Sequence, residues 1–232
     1  IFESNYKFDF IFNKSILKID NFLFRDKNLS LDSNGLINFK PFFYSKLNSN
    51  INHININLIK NLNIKNLLSS SDLIKRLNSE NNIQFKSNRL SRNLIDSLDI
   101  KSKLAYGILS ISKEIDFSKS NFKCQNSVNL LDEYPVLYYD CQLNSSDKKK
   151  LLKNLQIKYK TKNEPLTLNF KGNLNILNNK INFDYIEMNN NYKATSEDLK
   201  YYKNTFEKIL FNKNFLGIFD FSKIREFILE IS

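Results

Sequence analysis

Apolar and polar residues alternate with a period of two along most of this chain, the pattern of half-buried β-strands. Tyr6, Phe8 and Phe10 alternate with Lys7 and Asp9, and Ile16, Lys18 and Asp20 with Leu17, Ile19 and Asn21. Leu29 and Leu31 lead to Asn34-Gly35 and then to Leu36-Ile37-Asn38-Phe39, which predicts a hairpin turning at Asn34-Gly35. Residues 51–56 are less regular but strand-like. Over 58–77 the period changes. Leu58, Leu62, Leu67 and Leu68 predict a short helix or two, and Ser71-Asp72 opens a further segment carrying Leu73, Ile74 and Leu77. Strand character resumes at 83–85 and at 104–111, the latter with Gly107 as a bend.

Two hairpins take a register from the pattern alone. The first joins 122–130 to 135–143 through a turn near Asp132-Glu133, so that Phe122 faces Leu143, Cys124 faces Cys141 and Val128 faces Leu137. One face is then apolar on both strands. The other carries Lys123, Gln125, Ser127 and Asn129 against Asp140 and Gln142, and a slip of one residue destroys that agreement. The second hairpin turns at Asn178-Asn179, a pair suited to a type I′ turn with positive φ at both positions. It sets Ile176 opposite Ile181, Leu174 opposite Phe183 and Gly172 opposite Tyr185. A short helix over 147–155 links the two. After Thr195 the spacing turns helical. Thr195 with Asp198 makes a capping-box start, and Leu199, Tyr202, Phe206, Ile209 and Leu210 share one face. Lys203 and Glu207 are spaced to pair at i, i+4 on the outside. A loop holding Gly217 leads to Ser222 and a second amphipathic helix with Ile224, Phe227, Ile228 and Ile231.

These elements predict a mainly β fold: an antiparallel curled sheet or β-groove built from hairpins, with short helical inserts and two C-terminal α-helices. A strand region spans 1–56, a short helical insert 57–80, a hairpin sheet 81–194 and the C-terminal helices 195–232, all within one continuous elongated domain.

Composition narrows the function classes. The chain has 232 residues and a net charge of +11. Its richness in Asn, Lys, Ile, Phe and Tyr is what A/T-rich codons produce. The basic residues are nearly all scattered Lys, and Arg occurs only at Arg25, Arg76, Arg89, Arg92 and Arg225. The one dense run is Lys148-Lys149-Lys150. Nucleic-acid binders cluster their charge, so nucleic acid is not expected as a partner. The chain begins at Ile1 in the middle of strand-like sequence, so a piece of a longer polypeptide is expected. No apolar run approaches the roughly 20 residues of a spanning helix.

Reactive chemistry is not expected either. The lone histidine, His53, sits in an Asn/Ile run with no partner or orienter implied. There is no phosphate-cradling Gly-rich loop, no Cys/His cluster at zinc spacing and no paired-carboxylate constellation. Hence no enzyme activity, metal or cofactor is anticipated. The cysteines admit two readings. Cys124 and Cys141 are either buried free thiols or a cross-strand disulfide, because opposed Cα atoms lie about 4.5–5.5 Å apart in antiparallel pairs.

Three stretches share a cadence with a known family. They are Asn57-Leu58-Ile59-Lys60 through Leu77-Asn78, Gly172-Asn173-Leu174-Asn175-Ile176 through Ile181-Asn182-Phe183, and the Ser196-Glu197-Asp198-Leu199 helix with the closing Phe227-Ile228 helix. In them the chain resembles the C-terminal portion of AsmA-like proteins, the repeating β-groove family of bacterial envelope proteins. The resemblance implies a periplasmic protein, anchored in the inner membrane by a segment outside this sequence. Its apolar groove would conduct phospholipid between membranes, in support of outer membrane assembly, with acyl chains as the partner. Lipid-contact candidates are then Val128, Leu137, Tyr139, Leu168, Phe170, Leu174, Ile176, Ile181 and Phe183, which alternation puts on one face of each hairpin. Either lipid or a second sheet must cover that face. The alternative is a structural or adhesive β-rich surface protein without ligand, and a basic nucleic-acid-binding module comes third.

Overall fold

The protein is mainly β, and its computed structural model describes residues 4–55, 71–87, 95–158, 163–212 and 220–231. Twelve strands form one sheet in which neighbours in sequence are neighbours in space. They are β1 (Asn5–Asn13), β2 (Ile16–Arg25), β3 (Leu29–Asn38), β4 (Tyr44–Ile54), β5 (Asn78–Lys86), β6 (Ser97–Ala105), β7 (Ile108–Phe117), β8 (Ser120–Asn129), β9 (Val136–Ser145), β10 (Leu166–Asn175), β11 (Lys180–Met188) and β12 (Tyr192–Lys193). The described helices are α1 (Ser71–Arg76), α2 (Lys148–Asn154), α3 (Ser196–Leu210) and α4 (Phe221–Glu230). Two compact units divide within β7. One holds β1–β6 and the start of β7, the other the rest of β7 with β8–β12 and α2–α4.

Local chemistry explains the turns. Tyr106-Gly107 and Ser118-Lys119 each have positive φ at both residues, the geometry that two-residue hairpins require. Gly107 therefore turns the chain between two strands rather than bending one. Asp26 accepts the backbone N–H groups of Asn28 and Leu29 at 2.7 and 2.6 Å, closing the turn from β2 to β3. Helix α2 starts at Asp147, whose carboxylate accepts the Lys150 N–H at 2.7 Å.

Several expectations are corrected. No turn occurs at Asn34-Gly35, because β3 runs straight through both. Gly35 is needed there for close approach: a Cβ would meet the Lys46 carbonyl oxygen on β4. The sheet is mixed rather than wholly antiparallel, since β4 and β5 run parallel across the connection that carries α1. The second hairpin turns through residues 176–179, with positive φ at Asn179 alone of the two asparagines. Asn178 N–H instead donates to the Asn175 side chain at 3.0 Å. This lengthened turn moves the register by two, placing Leu174 opposite Ile181 and Gly172 opposite Phe183. A shift of two preserves the faces. A bulge beyond Gly172 then sets Lys171 opposite Tyr185 and Phe170 opposite Ile186. Tyr185 thereby leaves the apolar face, while Ile186 and Met188 join it. The expected helical residues Leu58, Leu62, Leu67 and Leu68, and the loop holding Gly217, lie outside the described residues.

Candidate functional site

In the unit containing β8–β12, the registered hairpins build one apolar face. Strands β8 and β9 pair Phe122 with Leu143 and Cys124 with Cys141, as the pattern predicts. Strands β9 and β10 pair Leu137 with Leu174, Tyr139 with Gly172, Cys141 with Phe170 and Leu143 with Leu168. The cover over much of this face is protein. Leu174, Ile181 and Phe183 are buried together with Ile209, Leu210 and Phe211 at the end of α3, and Ile224 and Phe227 of α4 pack on the same cluster. Leu137, Tyr139 and Ile176 join its margin. Val128 is buried outside this cluster, and Leu168 and Phe170 remain half-buried beyond it. The Phe170 ring contacts Phe122 and Tyr139 at centroid distances of 6.3 and 6.0 Å.

Polar clamps hold the helices in place. The Thr195 hydroxyl accepts the Asp198 N–H at 3.2 Å, and the Asp198 carboxylate accepts the Thr195 N–H at 2.9 Å, completing the expected capping box. The backbone bond from Thr195 leads the causes that hold the Asp198 carboxyl below its ordinary range. Glu207 does not turn to Lys203. Its carboxylate reaches β11, pairing with Lys180 Nζ at 2.8 Å and accepting the Ile181 N–H at 3.1 Å. The hydroxyls of Tyr192 and Tyr202 lie 3.0 Å apart, tying β12 to α3.

Tyr139 crosses the face over Gly172, where a Cβ would lie 2.5 Å from its hydroxyl oxygen. That hydroxyl donates to the Asn182 carbonyl at 2.9 Å, so its polar tip is satisfied inside apolar surroundings. Burial, and secondarily the Asp184 charge, push its pKa up.

Cys124 and Cys141 are joined in a disulfide, with Cα atoms 4.1 Å apart and a sequence separation of 17. Both are buried. Closing a loop of this size restricts the unfolded chain, worth about 2–4 kcal/mol. Reductant is therefore expected to lower the urea midpoint of the wild type but not that of a Cys124→Ser/Cys141→Ser variant. Equal wild-type midpoints with and without reductant would contradict the bond.

In the unit containing β1–β6, a second apolar face emerges from the registers. Tyr6 pairs with Phe24, Phe24 with Leu31, Leu31 with Ile51, Ile51 with Phe85 and Phe85 with Leu98. This unbroken apolar row crosses all six strands, about 24 Å at the usual strand spacing. The next row runs Phe8, Phe22, Ser33, Ser49, Ile83 and Ile100. Phe10, Ile19, Phe12 and Leu17 extend the face at its β1–β2 end. Most of these side chains are half-buried, but Tyr6 is 77% exposed, Phe12 59%, Phe10 51% and Phe8 41%. Serine and amide groups on this face bond laterally, as between Asn81 and Ser102 at 3.4 Å.

The opposite face of β1–β6 is dominated by charges and amides in cross-strand ladders. Asn50 and Asn52 donate to Asp32 at 2.8 and 3.1 Å, Gln84 to Asp99 at 3.0 Å, and Lys103 pairs with Glu80 at 3.3 Å. The bond from Lys103, then that from the Tyr44 hydroxyl, holds the Glu80 carboxyl below its ordinary range. One face thus suits water and the other does not. On β7, in the same alternation as Leu109 and Ile111, burial pushes the Lys113 ammonium pKa down.

Comparison with protein-family models, with curated proteins and with solved structures finds no match.

Other features of the sequence resolve into structure. His53 is exposed and sits beside the β4 bulge, opposite Ser30. In the basic run, Lys148 pairs with Glu164 at 2.9 Å. A polar cleft of about 550 Å³ contains Asp96 and Asp116. Asp96 accepts the Ser118 N–H at 3.0 Å and Asp116 the Asn121 amide at 2.7 Å, so both carboxylates stabilise the β7–β8 turn. Sequence reasoning missed the full β1–β6 face. Its signal was present in Tyr6, Phe8 and Phe10, but a turn assigned to Asn34-Gly35 interrupted the register that joins them to Leu31, Ile51 and Phe85.

Proposed function

We propose that this chain handles phospholipid, sheltering acyl chains on the apolar face of β1–β6 and doing no covalent chemistry. The observation that carries this reading is the apolar row from Tyr6 to Leu98, with exposed aromatic rings at its β1 end. Soluble proteins rarely leave such a surface bare. An acyl chain spans about half of the ~30 Å hydrocarbon thickness of a bilayer, so a row about 24 Å long accommodates one. Each square ångström of apolar surface removed from water contributes about 25 cal/mol.

On this proposal the chain works as a segment of an AsmA-like envelope protein in the periplasm, anchored in the inner membrane through a part outside this sequence. Two observations support that setting. A buried disulfide suits an oxidising compartment. A net charge of +11 favours anionic lipid surfaces. In the β8–β12 unit, the helix-covered core favours a structural role instead.

Phe22→Asp with Ile83→Asp tests the site. Both side chains are half-buried on the proposed lipid face. The double variant is expected to keep its β-sheet circular dichroism while binding a fluorescent fatty-acid probe at least about tenfold more weakly, since two apolar contacts become carboxylates. Unchanged probe affinity in a folded variant would sink the proposal.

A further inference from the structure

The turns at one rim of the β1–β6 unit share a composition. The registers align Asn13, Ile16, Asn38, Tyr44 and Asn78 in one row across β1–β5, and Ser79 of β5 faces Leu104 of β6. Beyond that row lie the β1–β2 turn at Lys14-Ser15, residues 39–43 between β3 and β4, the end of α1 at 74–77 and the β6–β7 turn at Tyr106-Gly107. These segments carry exposed rings, Tyr106 at 83% and Phe42 at 76%. Phe39, also exposed, contacts Phe43 and Phe12 at centroid distances of 6.0 and 6.2 Å, which joins the rim to the apolar face. The same segments carry four exposed cations, Lys14, Lys40, Lys75 and Arg76, and among their described residues no acidic one. The turn at the opposite rim, Asp26-Lys27-Asn28, has no ring.

We propose that this rim docks on an anionic phospholipid bilayer, its rings entering the headgroup layer and its four cations lying against the phosphates. Aromatic rings favour the water–lipid boundary, where they bury apolar area beside groups that stay wet. Basic residues held close to an anionic surface each add to the attraction, and here four stand at one rim. The strand ladders end at the row behind the turns, so the tips enter without stripping water from strand backbone. Rings and cations are interspersed along about 24 Å of rim. A laterally fluid surface meets all of them at once, whereas a protein partner would need a separate pocket for each ring. The docking is independent of acyl chains lying on the sheet face.

The test uses the whole chain and vesicles of phosphatidylcholine and phosphatidylglycerol in equal parts. The wild type is expected to float with them, and to bind vesicles of phosphatidylcholine alone about tenfold or more weakly. Phe42→Ser/Tyr106→Ser is expected to weaken binding to the mixed vesicles about tenfold or more, and Lys14→Glu/Lys40→Glu by a similar factor. Both variants are expected to keep their β-sheet circular dichroism, because all four side chains are exposed. Phe22→Asp/Ile83→Asp is expected to bind the mixed vesicles as the wild type does, which separates rim docking from shelter of acyl chains. The chain has no tryptophan, so an introduced one reports its own surroundings. Phe42→Trp is expected to shift its emission to the blue on vesicle binding, and Lys27→Trp, on the opposite rim, to keep its emission unchanged. A wild type that does not bind the mixed vesicles, binding indifferent to either rim double variant, loss of binding in a folded Phe22→Asp/Ile83→Asp protein, or equal shifts at positions 42 and 27 would each overturn the proposal.

Discussion

Leu174→Asp is expected to unfold the unit containing β8–β12. Leu174 is 7% exposed and lies in one cluster with Ile181, Phe183, Ile209, Leu210 and Phe211. A carboxylate placed there finds no cation in the cluster and no water. Its desolvation, added to the lost leucine packing, costs about 4–5 kcal/mol or more, against a usual stability of about 5–15 kcal/mol for a whole domain. Phe183→Asp is expected to behave alike, because its ring contacts Tyr139 at 6.3 Å and Phe206 at 5.8 Å. Urea denaturation and soluble yield would register the loss. A folded Leu174→Asp protein with an unchanged midpoint would show that α3 does not close this face. The contrast with Phe22→Asp/Ile83→Asp matters. The same chemical change is tolerable where the side chain is only half-buried and ruinous where helices seal it.

Gly172→Ala carries the second large effect. The added methyl would meet the Asn182 carbonyl oxygen and the Tyr139 ring, with the ring's hydroxyl carbon at 2.9 Å. One obstacle is backbone, fixed by the ladder between β10 and β11. The other is a side chain anchored by its own hydrogen bond to that carbonyl. Relief requires Tyr139 to swing away, leaving its hydroxyl unsatisfied and opening a void beside Phe183. Overpacking and a lost buried hydrogen bond together predict destabilisation of about 2–4 kcal/mol. Gly172→Ala combined with Tyr139→Phe would recover little, since the backbone clash persists. A midpoint for Gly172→Ala equal to that of the wild type would refute the close packing described here.

Much of the fold was legible because β-alternation and helix capping are local signals. The β8–β9 register followed from matching apolar positions on two adjacent strands, and it delivered the Cys124–Cys141 contact. The capping box at Thr195 and the buried face of α3 followed from spacing alone. What failed was non-local. Asn34-Gly35 has the composition of a turn, yet Gly35 serves the approach of the Lys46 carbonyl from the next strand, which no short window reveals. The bulge at Asp184 and the four-residue turn over 176–179 were hidden for a similar reason. Sheet twist and cross-strand fit decide them, not the Asn178-Asn179 pair itself. Most consequentially, alternation identifies an apolar face without naming its cover. The pattern therefore pointed to Leu174, Ile181 and Phe183 as lipid contacts, whereas α3 and α4 cover them, and it passed over the apolar face that begins at the exposed Tyr6.

On the function proposed above, the apolar face of β1–β6 carries acyl chains. Mass spectrometry of lipid extracted from the purified chain tests it most directly, with Phe22→Asp/Ile83→Asp purified in parallel. Phospholipid is expected in stoichiometric amount with the wild type and is expected to be lost from the folded double variant. A wild-type protein that is folded and free of lipid, or equal lipid on both proteins, would contradict it.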